Sequence, residues 1–191
     1  MDTLVERINK NLSLNKMEIS VTDNSGTGRH AFTISGGEDL RRRIARLTQL
    51  NFTLYSLNLR LSDFGISILK KASRFKGYDK TFYDCRDYAF DFVGLPGYTF
   101  REGRFAADKL LCEDLPDLKW SPVPQKGLIA AYSSNRSSVN HWGVVVDVND
   151  RIIIRSKWGN GHAYQHPMEL FPEGYGNLIH FFKKVEKNDR T

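Results

Sequence analysis

Four short apolar stretches in the C-terminal half of the chain constrain its fold more than any other feature. Turn residues bound each of them, a pattern that predicts buried strands. The stretches are Gly127–Tyr132, His141–Val148, Arg151–Ser156 and Asn177–Phe182. A Val-Asn-Asp-Arg turn joins the second to the third as a hairpin. The sequence therefore predicts an antiparallel meander.

One helix is predicted shortly before this meander. The run RDYAFDFVG, which follows Cys85, has its apolar residues at helical spacing, and Leu95–Pro96–Gly97 ends it. A helix followed by an antiparallel meander is an α+β arrangement. We therefore expect an α+β fold in which a helix that begins at Cys85 packs on the sheet.

The first 75 residues show a different pattern and contain no recognisable catalytic motif. Residues 2–10 have the spacing of a short amphipathic helix. Apolar residues alternate on both sides of the turn-rich segment Asp23–Gly28, which predicts a β-hairpin. Apolar residues then recur at helical spacing over 38–71, with a middle that allows a break. We therefore predict an accessory helix–hairpin–helix region at 1–75 and a separate domain at 76–191.

The chain is cationic. Its 191 residues include 28 Lys and Arg against 22 Asp and Glu, which gives a formal net charge of +6. Such a balance favours polyanions, namely nucleic acid, an anionic lipid face, or a wall polymer that carries phosphate and carboxylate. The charges are scattered, and the one cationic run, Arg41–Arg42–Arg43, is typical of a solvated helix face. Nucleic-acid binding is therefore not predicted.

The N-terminal sequence and the number of cysteines indicate the cellular compartment in which the chain is made. The opening MDTLVERINKNLSLNK lacks the cationic start and apolar run of a secretory signal. No stretch approaches the roughly 18 apolar residues of a membrane span. We expect synthesis in the cytoplasm without a signal peptide, and any export by a specialised secretion system. Cys85 and Cys112 are too few for a disulfide framework, which leaves two free thiols or a single bridge.

Cys85 and His141 form the arrangement that predicts catalysis. A thiol acts as a nucleophile when its pKa is lowered and a base lies within hydrogen-bond reach. Cys85 stands where a helix should begin, so the helix dipole should favour its thiolate. His141 opens an apolar strand, and Gly143 leaves room for a neighbour on the same strand face. The structural alternatives are a buried cysteine and a satisfied surface histidine.

The other candidate groups predict no metal site and no cofactor. His162 and His166 alternate along HAYQH, but no Cys or carboxylate stands beside them at ligand spacing. Cys112 has no neighbouring base and is expected to be structural.

Three segments occur in an order that resembles a known family. They are YDCRDYAFDFVGLPGYTF, KGLIAAY and HWGVVVDVNDRIII. The NlpC-like cysteine peptidases and amidases, a branch of the papain-like superfamily, have an aromatic residue, Asp and Cys at the head of a helix. A small-residue strand and a His-x-Gly strand with a hairpin follow. The resemblance covers about residues 78–182 and implies a papain-like core in a divergent bacterial member.

The chain departs from the family pattern at three places. Arg86–Asp87 stands where the family usually has Ser-Gly, and Leu128 follows Gly127 where it usually has Asp. The third residue, which orients the imidazole in the family, corresponds best to Ser156. His166 and Asp147 are the competing assignments.

The resemblance implies a role for each site residue. His141 would take the proton of Cys85, and the thiolate would attack an amide carbonyl. The backbone N–H of Cys85 and the Tyr83 side chain would hold the oxyanion. Asp84 would cap the helix or bind an amine of the substrate. Trp142, Trp158 and His166 would line the substrate site.

The implied function is hydrolysis of an amide bond in a bacterial cell-wall peptide. The chain would then be a peptidoglycan endopeptidase or amidase, and an exported antibacterial toxin effector with an immunity or secretion adaptor protein as partner is one form of this hypothesis. A protease, deamidase or acyltransferase acting on a protein is an alternative. A catalytically dead interaction domain of the same fold is another.

Overall fold

The computed structural model describes residues 17–24, 29–49, 61–69, 84–95, 117–135, 138–158 and 162–185. Within these ranges the chain forms nine strands in one sheet and two helices. The strands are β1 (Glu18–Asn24), β2 (Arg29–Ser35), β3 (Ser67–Ile68), β4 (Leu118–Ser121), β5 (Ile129–Ser133), β6 (His141–Asp147), β7 (Ile153–Lys157), β8 (Ala163–Pro167) and β9 (Leu178–Lys184). The helices are α1 (Glu38–Gln49) and α2 (Cys85–Phe92).

The sheet is antiparallel throughout the described residues. Its strand order is β1-β2-β9-β5-β6-β7-β8-β3, and β4 pairs with β9 beside this path. Strand β9 pairs with β2, β4 and β5, so it joins the β1–β2 hairpin to the strands of the later half of the chain. An antiparallel sheet with separate helices is the α+β class, and this part of the prediction is confirmed.

The sheet separates two apolar clusters, which the alternation of side chains along β5 and β6 divides. Tyr132 and Val145 belong to the larger cluster, together with apolar residues of β1, β2, α1, β7 and β9. The smaller cluster consists of Ala89, Phe90, Leu118, Ile129, Ala131, Trp142, Val144 and Phe182. Helix α2 therefore lies on the face of the sheet that carries Trp142.

The predicted strands are largely as observed. The meander is confirmed as β5, β6 and β7 with β9 as the last strand, and the hairpin around Asp23–Gly28 is confirmed as β1 and β2. The fold positions these strands because their apolar residues face one cluster or the other.

The predicted helix over 38–71 is wrong in its last part. Helix α1 ends at Gln49, and a later helical turn ends at Ser62. The N–H groups of Gly65 and Ile66 donate to the carbonyls of Ser62 and Leu61, at 2.8 and 3.1 Å. Gly65 has a φ of 71°, which allows this Schellman-type end. The chain then enters β3, which pairs with β8.

The described residues before position 76 share the sheet and the core with those after it. Strand β2 pairs with β9, and Ile34 of β2 and Ile44 of α1 lie in the same cluster as Tyr132. The predicted boundary at 75 therefore does not divide two cores within the described ranges. The predicted helix at 2–10 lies outside those ranges.

Candidate active site around Cys85

Cys85 is the first residue of α2, and Asp84 caps this helix. The Asp84 Oδ1 atom accepts hydrogen bonds from the N–H groups of Arg86, at 2.9 Å, and Asp87, at 3.1 Å. The Asp87 carboxylate accepts in return from the Asp84 N–H, at 3.4 Å, which completes a capping box. The predicted capping role of Asp84 is confirmed.

The packing of α2 places Cys85 against β6. The Phe90 and Trp142 rings meet edge to face with centroids 5.4 Å apart, and Cys85 packs against the same cluster. The Trp142 backbone hydrogen-bonds to the thiol. The sulfur of Cys85 therefore lies beside the strand that carries His141, on the face of Trp142.

The surroundings of Cys85 favour the thiol over the thiolate. Burial raises its pKa to about 11, and the Asp84 carboxylate acts in the same direction. The hydrogen bond to the Trp142 backbone and the charge of Arg86 lower the pKa by less. The prediction that the helix start gives a low pKa is therefore wrong for this structure, because desolvation and the Asp84 charge outweigh the hydrogen bonds and the Arg86 charge that lower the pKa.

His141 lies on the opposite face of the sheet from Cys85. Alternation along β6 points its side chain away from that of Trp142. Its ring stacks on Tyr175, with centroids 3.8 Å apart and planes inclined by 6°, and lies beside Tyr132 at 5.7 Å. The side chain is 1% exposed. The predicted pair of Cys85 and His141 is not brought together.

The His141 ring is buried in its neutral form. Burial lowers its pKa well below the usual range, and the neighbouring His166 lowers it further. The Nε2 atom is buried and has no hydrogen-bond partner among the residues that the structure describes. A buried polar atom without a partner costs free energy, so this nitrogen is a weak point of the core.

The space beside Gly143 is occupied by side chains of the neighbouring strand. A Cβ atom at Gly143 would lie 2.5 Å from Ile154 Cγ2 and 3.0 Å from Ser156 Cβ. The neighbour that approaches this glycine is therefore β7. The predicted close approach of a neighbour to Gly143 is confirmed, and that neighbour is a strand of the sheet.

Ser156 and His166 belong to a buried network on the His141 face. The Ser156 Oγ and His166 Nε2 atoms are 2.9 Å apart, and the Trp158 Nε1–H donates to the same Oγ at 2.9 Å. His166 Nδ1 lies 2.8 Å from the carbonyl oxygen of Pro167, so Nδ1 donates and Nε2 accepts from Ser156. Ser156 therefore orients His166 instead of His141.

Burial governs the protonation of this network. The pKa of His166 is lowered to about 4 by burial, and hydrogen bonds with the backbone of Pro167 and Leu170 oppose the shift. Ser156 and His166 are both 0% exposed. The third competitor, Asp147, accepts from the N–H of Val148 at 2.8 Å at the far end of β6.

The predicted substrate-binding residues are divided between the faces. Asp84 and Trp142 lie beside Cys85, and Trp142 is buried against Phe90. Trp158 stacks on Tyr164 on the other face, with centroids 4.1 Å apart. Tyr83 lies outside the described residues.

Lys157 is a charged residue of this site that the sequence analysis missed. It follows Ser156 on β7, so it faces α2, and it is only 7% exposed. Burial lowers its pKa, whereas the charges of Cys85 and Asp84 raise it. The sequence signal for Lys157 was its position next to Ser156 in a strand, because adjacent side chains of a strand face opposite sides of the sheet.

No protein-family model, curated protein or solved structure matches this chain. Within the described residues no group of three or more His, Cys, Asp or Glu is arranged to hold a metal ion. No described helix is long and apolar enough to span a membrane.

The buried rings of His141 and His166 predict a loss of stability in acid. Their folded-state pKa values lie below the unfolded value, so their contribution is complete above about pH 6.5 and declines as the pH falls. For His166, a shift to about 4 corresponds to roughly 3 kcal/mol of unfolding free energy. Urea unfolding from pH 7.5 to 4 measures this loss.

Two variants separate the causes of this effect. His141→Phe keeps a ring that can stack on Tyr175 and removes the unpartnered nitrogen, so it should be neutral or stabilising at pH 7 and lose less stability in acid. His162→Gln, at a half-buried position, should retain the wild-type profile. A pH-independent free energy of unfolding in the wild type would contradict the buried, neutral state.

The cap of α2 predicts separable effects of two substitutions at Asp84 on stability and on the reactivity of Cys85. Asp84→Ala removes the cap and should cost about 1 kcal/mol of stability. Asp84→Asn keeps a capping oxygen and removes the negative charge, so it should lower the pKa of Cys85 and accelerate its alkylation by iodoacetamide. Unfolding curves and alkylation rates measure the two effects. Slower alkylation in Asp84→Asn would contradict the stated charge effect.

Proposed function

We propose that this protein is a cysteine-dependent hydrolase that cleaves amide bonds with Cys85 as nucleophile. The observation that carries the proposal is the position of Cys85 at the first residue of a capped helix. There the thiol meets the Trp142 backbone and a buried lysine. An N-terminal helical position is typical of activated cysteines. The NlpC-like resemblance around Cys85 supports the same reading.

The helix start offers an oxyanion site in this proposal. The first N–H groups of a helix have no partner within the helix. The Asp84 carboxylate accepts from Arg86 and Asp87. The N–H of Cys85 is the group that we assign to the oxyanion that forms when the thiolate attacks a carbonyl.

The proposed substrate is a bacterial cell-wall peptide, which makes the protein a peptidoglycan endopeptidase or amidase. The net charge of +6 suits an anionic wall polymer, and the family resemblance implies this substrate class. Export as an antibacterial toxin, with an immunity protein as partner, is part of the same proposal.

A second candidate is a non-enzymatic interaction domain. Two observations favour it: the pKa of Cys85 is raised to about 11, and His141 lies across the sheet from the thiol. An inert thiol at this position would be a structural residue of the smaller cluster.

Digestion of purified peptidoglycan tests the proposal. The full chain should release soluble wall peptides, and Cys85→Ala should lose this activity by at least about a thousandfold, as expected for a nucleophile. Cys112→Ala, at the second cysteine, is the matched control and should stay active. Release that is unchanged in Cys85→Ala would exclude Cys85 as nucleophile.

Expression in two compartments distinguishes the candidate targets. Killing of a bacterium from the periplasm alone, dependent on Cys85, supports a wall substrate. Killing from the cytoplasm alone would contradict it and favour a protein target. An absence of killing together with an unreactive Cys85 would favour the interaction domain.

A further inference from the structure

The register of β7 against α2 determines which of its side chains face Cys85. Gly143 pairs with Ser156, so Ser156 shares the face of His141. The neighbouring residues Arg155 and Lys157 then point to the other face, toward α2.

Contacts with α2 show which end of the helix each of these two cations approaches. The Arg155 Cζ atom lies 5.6 Å from the ring centroid of Phe92, the last residue of the helix, and its charge acts on Tyr88. Lys157 lies two residues further along β7, and its charge interacts with Cys85 and Asp84 at the helix start. Strand and helix therefore run so that Lys157 lies toward the end of α2 that begins at Cys85.

The charged side chain of Lys157 is largely shielded from water. It is 7% exposed, and lysine is almost never buried without a partner. Cys85 and Asp84 are the groups whose negative charges favour its ammonium. The Asp84 carboxylate already caps α2 and lies 4.0 Å from the Arg86 guanidinium. The Cys85 thiolate is one anion that this ammonium can stabilise on the α2 face.

We propose that Lys157, and not a histidine, is the cationic partner of the Cys85 thiolate and the proton carrier of the reaction. This inference rests on the proposed hydrolase function for its catalytic part. Among the described residues, the charged groups at this end of α2 are Asp84, Arg86 and Asp87, Arg155 lies on the same face of β7, and β6 contributes the uncharged Trp142.

The proton balance closes with this pair alone. Transfer of the thiol proton to the Lys157 amine gives thiolate and ammonium. The thiolate forms a C–S bond with the amide carbon, and the carbonyl electron pair moves to oxygen. As the C–N bond breaks, the ammonium returns the proton to the leaving amine. Water then forms a C–O bond and breaks the C–S bond, and its proton goes to Lys157.

Alkylation of Cys85 by iodoacetamide against pH tests the ion pair without any substrate. A Cys112→Ala background confines labelling to Cys85. An opposite charge within about 4–6 Å lowers a pKa by about 1–3 units. Lys157→Met should therefore shift the inflection upward by at least about one unit, with labelling about tenfold slower below it. Lys157→Gln is a second neutral variant, and circular dichroism verifies that each variant is folded.

Two further variants separate charge from proton transfer. Lys157→Arg keeps the charge and cannot lose a proton near neutral pH, so it should retain the alkylation profile and lose most of the peptidoglycan hydrolysis. Lys119→Met, at an exposed lysine of β4, should change neither property.

The outcomes distinguish the inference from the proposed function. An unchanged alkylation profile in both neutral variants, or an upward shift in His141→Phe instead, would overturn the role of Lys157. A Lys157-dependent profile in a wild-type protein that hydrolyses no wall peptide would support the ion pair and contradict the hydrolase function.

Discussion

The alternation of side chains along β6 is the constraint on which the chemistry of this protein depends. Adjacent residues of a strand point to opposite faces, so His141 and Trp142 cannot serve the same site. Helix α2 packs on Trp142 through Phe90. Cys85 therefore lies on that face, and His141 stacks on Tyr175 on the opposite face.

The same constraint divides the polar groups of β7. Ser156 enters a network with His166 and Trp158 that is satisfied and fully buried, which is the behaviour of a structural core network. Lys157 enters the environment of Cys85. Desolvation governs protonation on both faces of the sheet. It keeps His141 and His166 neutral on one face and the Cys85 thiol protonated on the other.

Much of the fold could be predicted from local pattern, whereas the partners at the site could not. The apolar runs of β5, β6 and β7 predict strands, and the residues after Cys85 predict a helix, because their periodicities differ. Strands β3, β4 and β8 were not predicted. The choice of sheet face for α2 is a tertiary property, and spacing along the chain carries no information about it.

The same limit, that local sequence does not encode tertiary contacts, applies to the individual residues of the candidate site. The capping role of Asp84 follows from its position before an apolar helical run, and the structure has it. The pairing of Cys85 with His141 required both to face one side, which family resemblance implied and β6 does not provide. Lys157 was missed because burial of its ammonium depends on α2, a contact that local sequence does not encode.

Nuclear magnetic resonance titration of Lys157 and His141 side chains, in the wild type and in Cys85→Ser, tests the account most directly. If Lys157 is the partner of the thiolate, loss of that anion should lower the pKa of Lys157 and leave the His141 titration unchanged. A change in the His141 titration with an unchanged Lys157 would contradict the placement of the two residues on opposite faces.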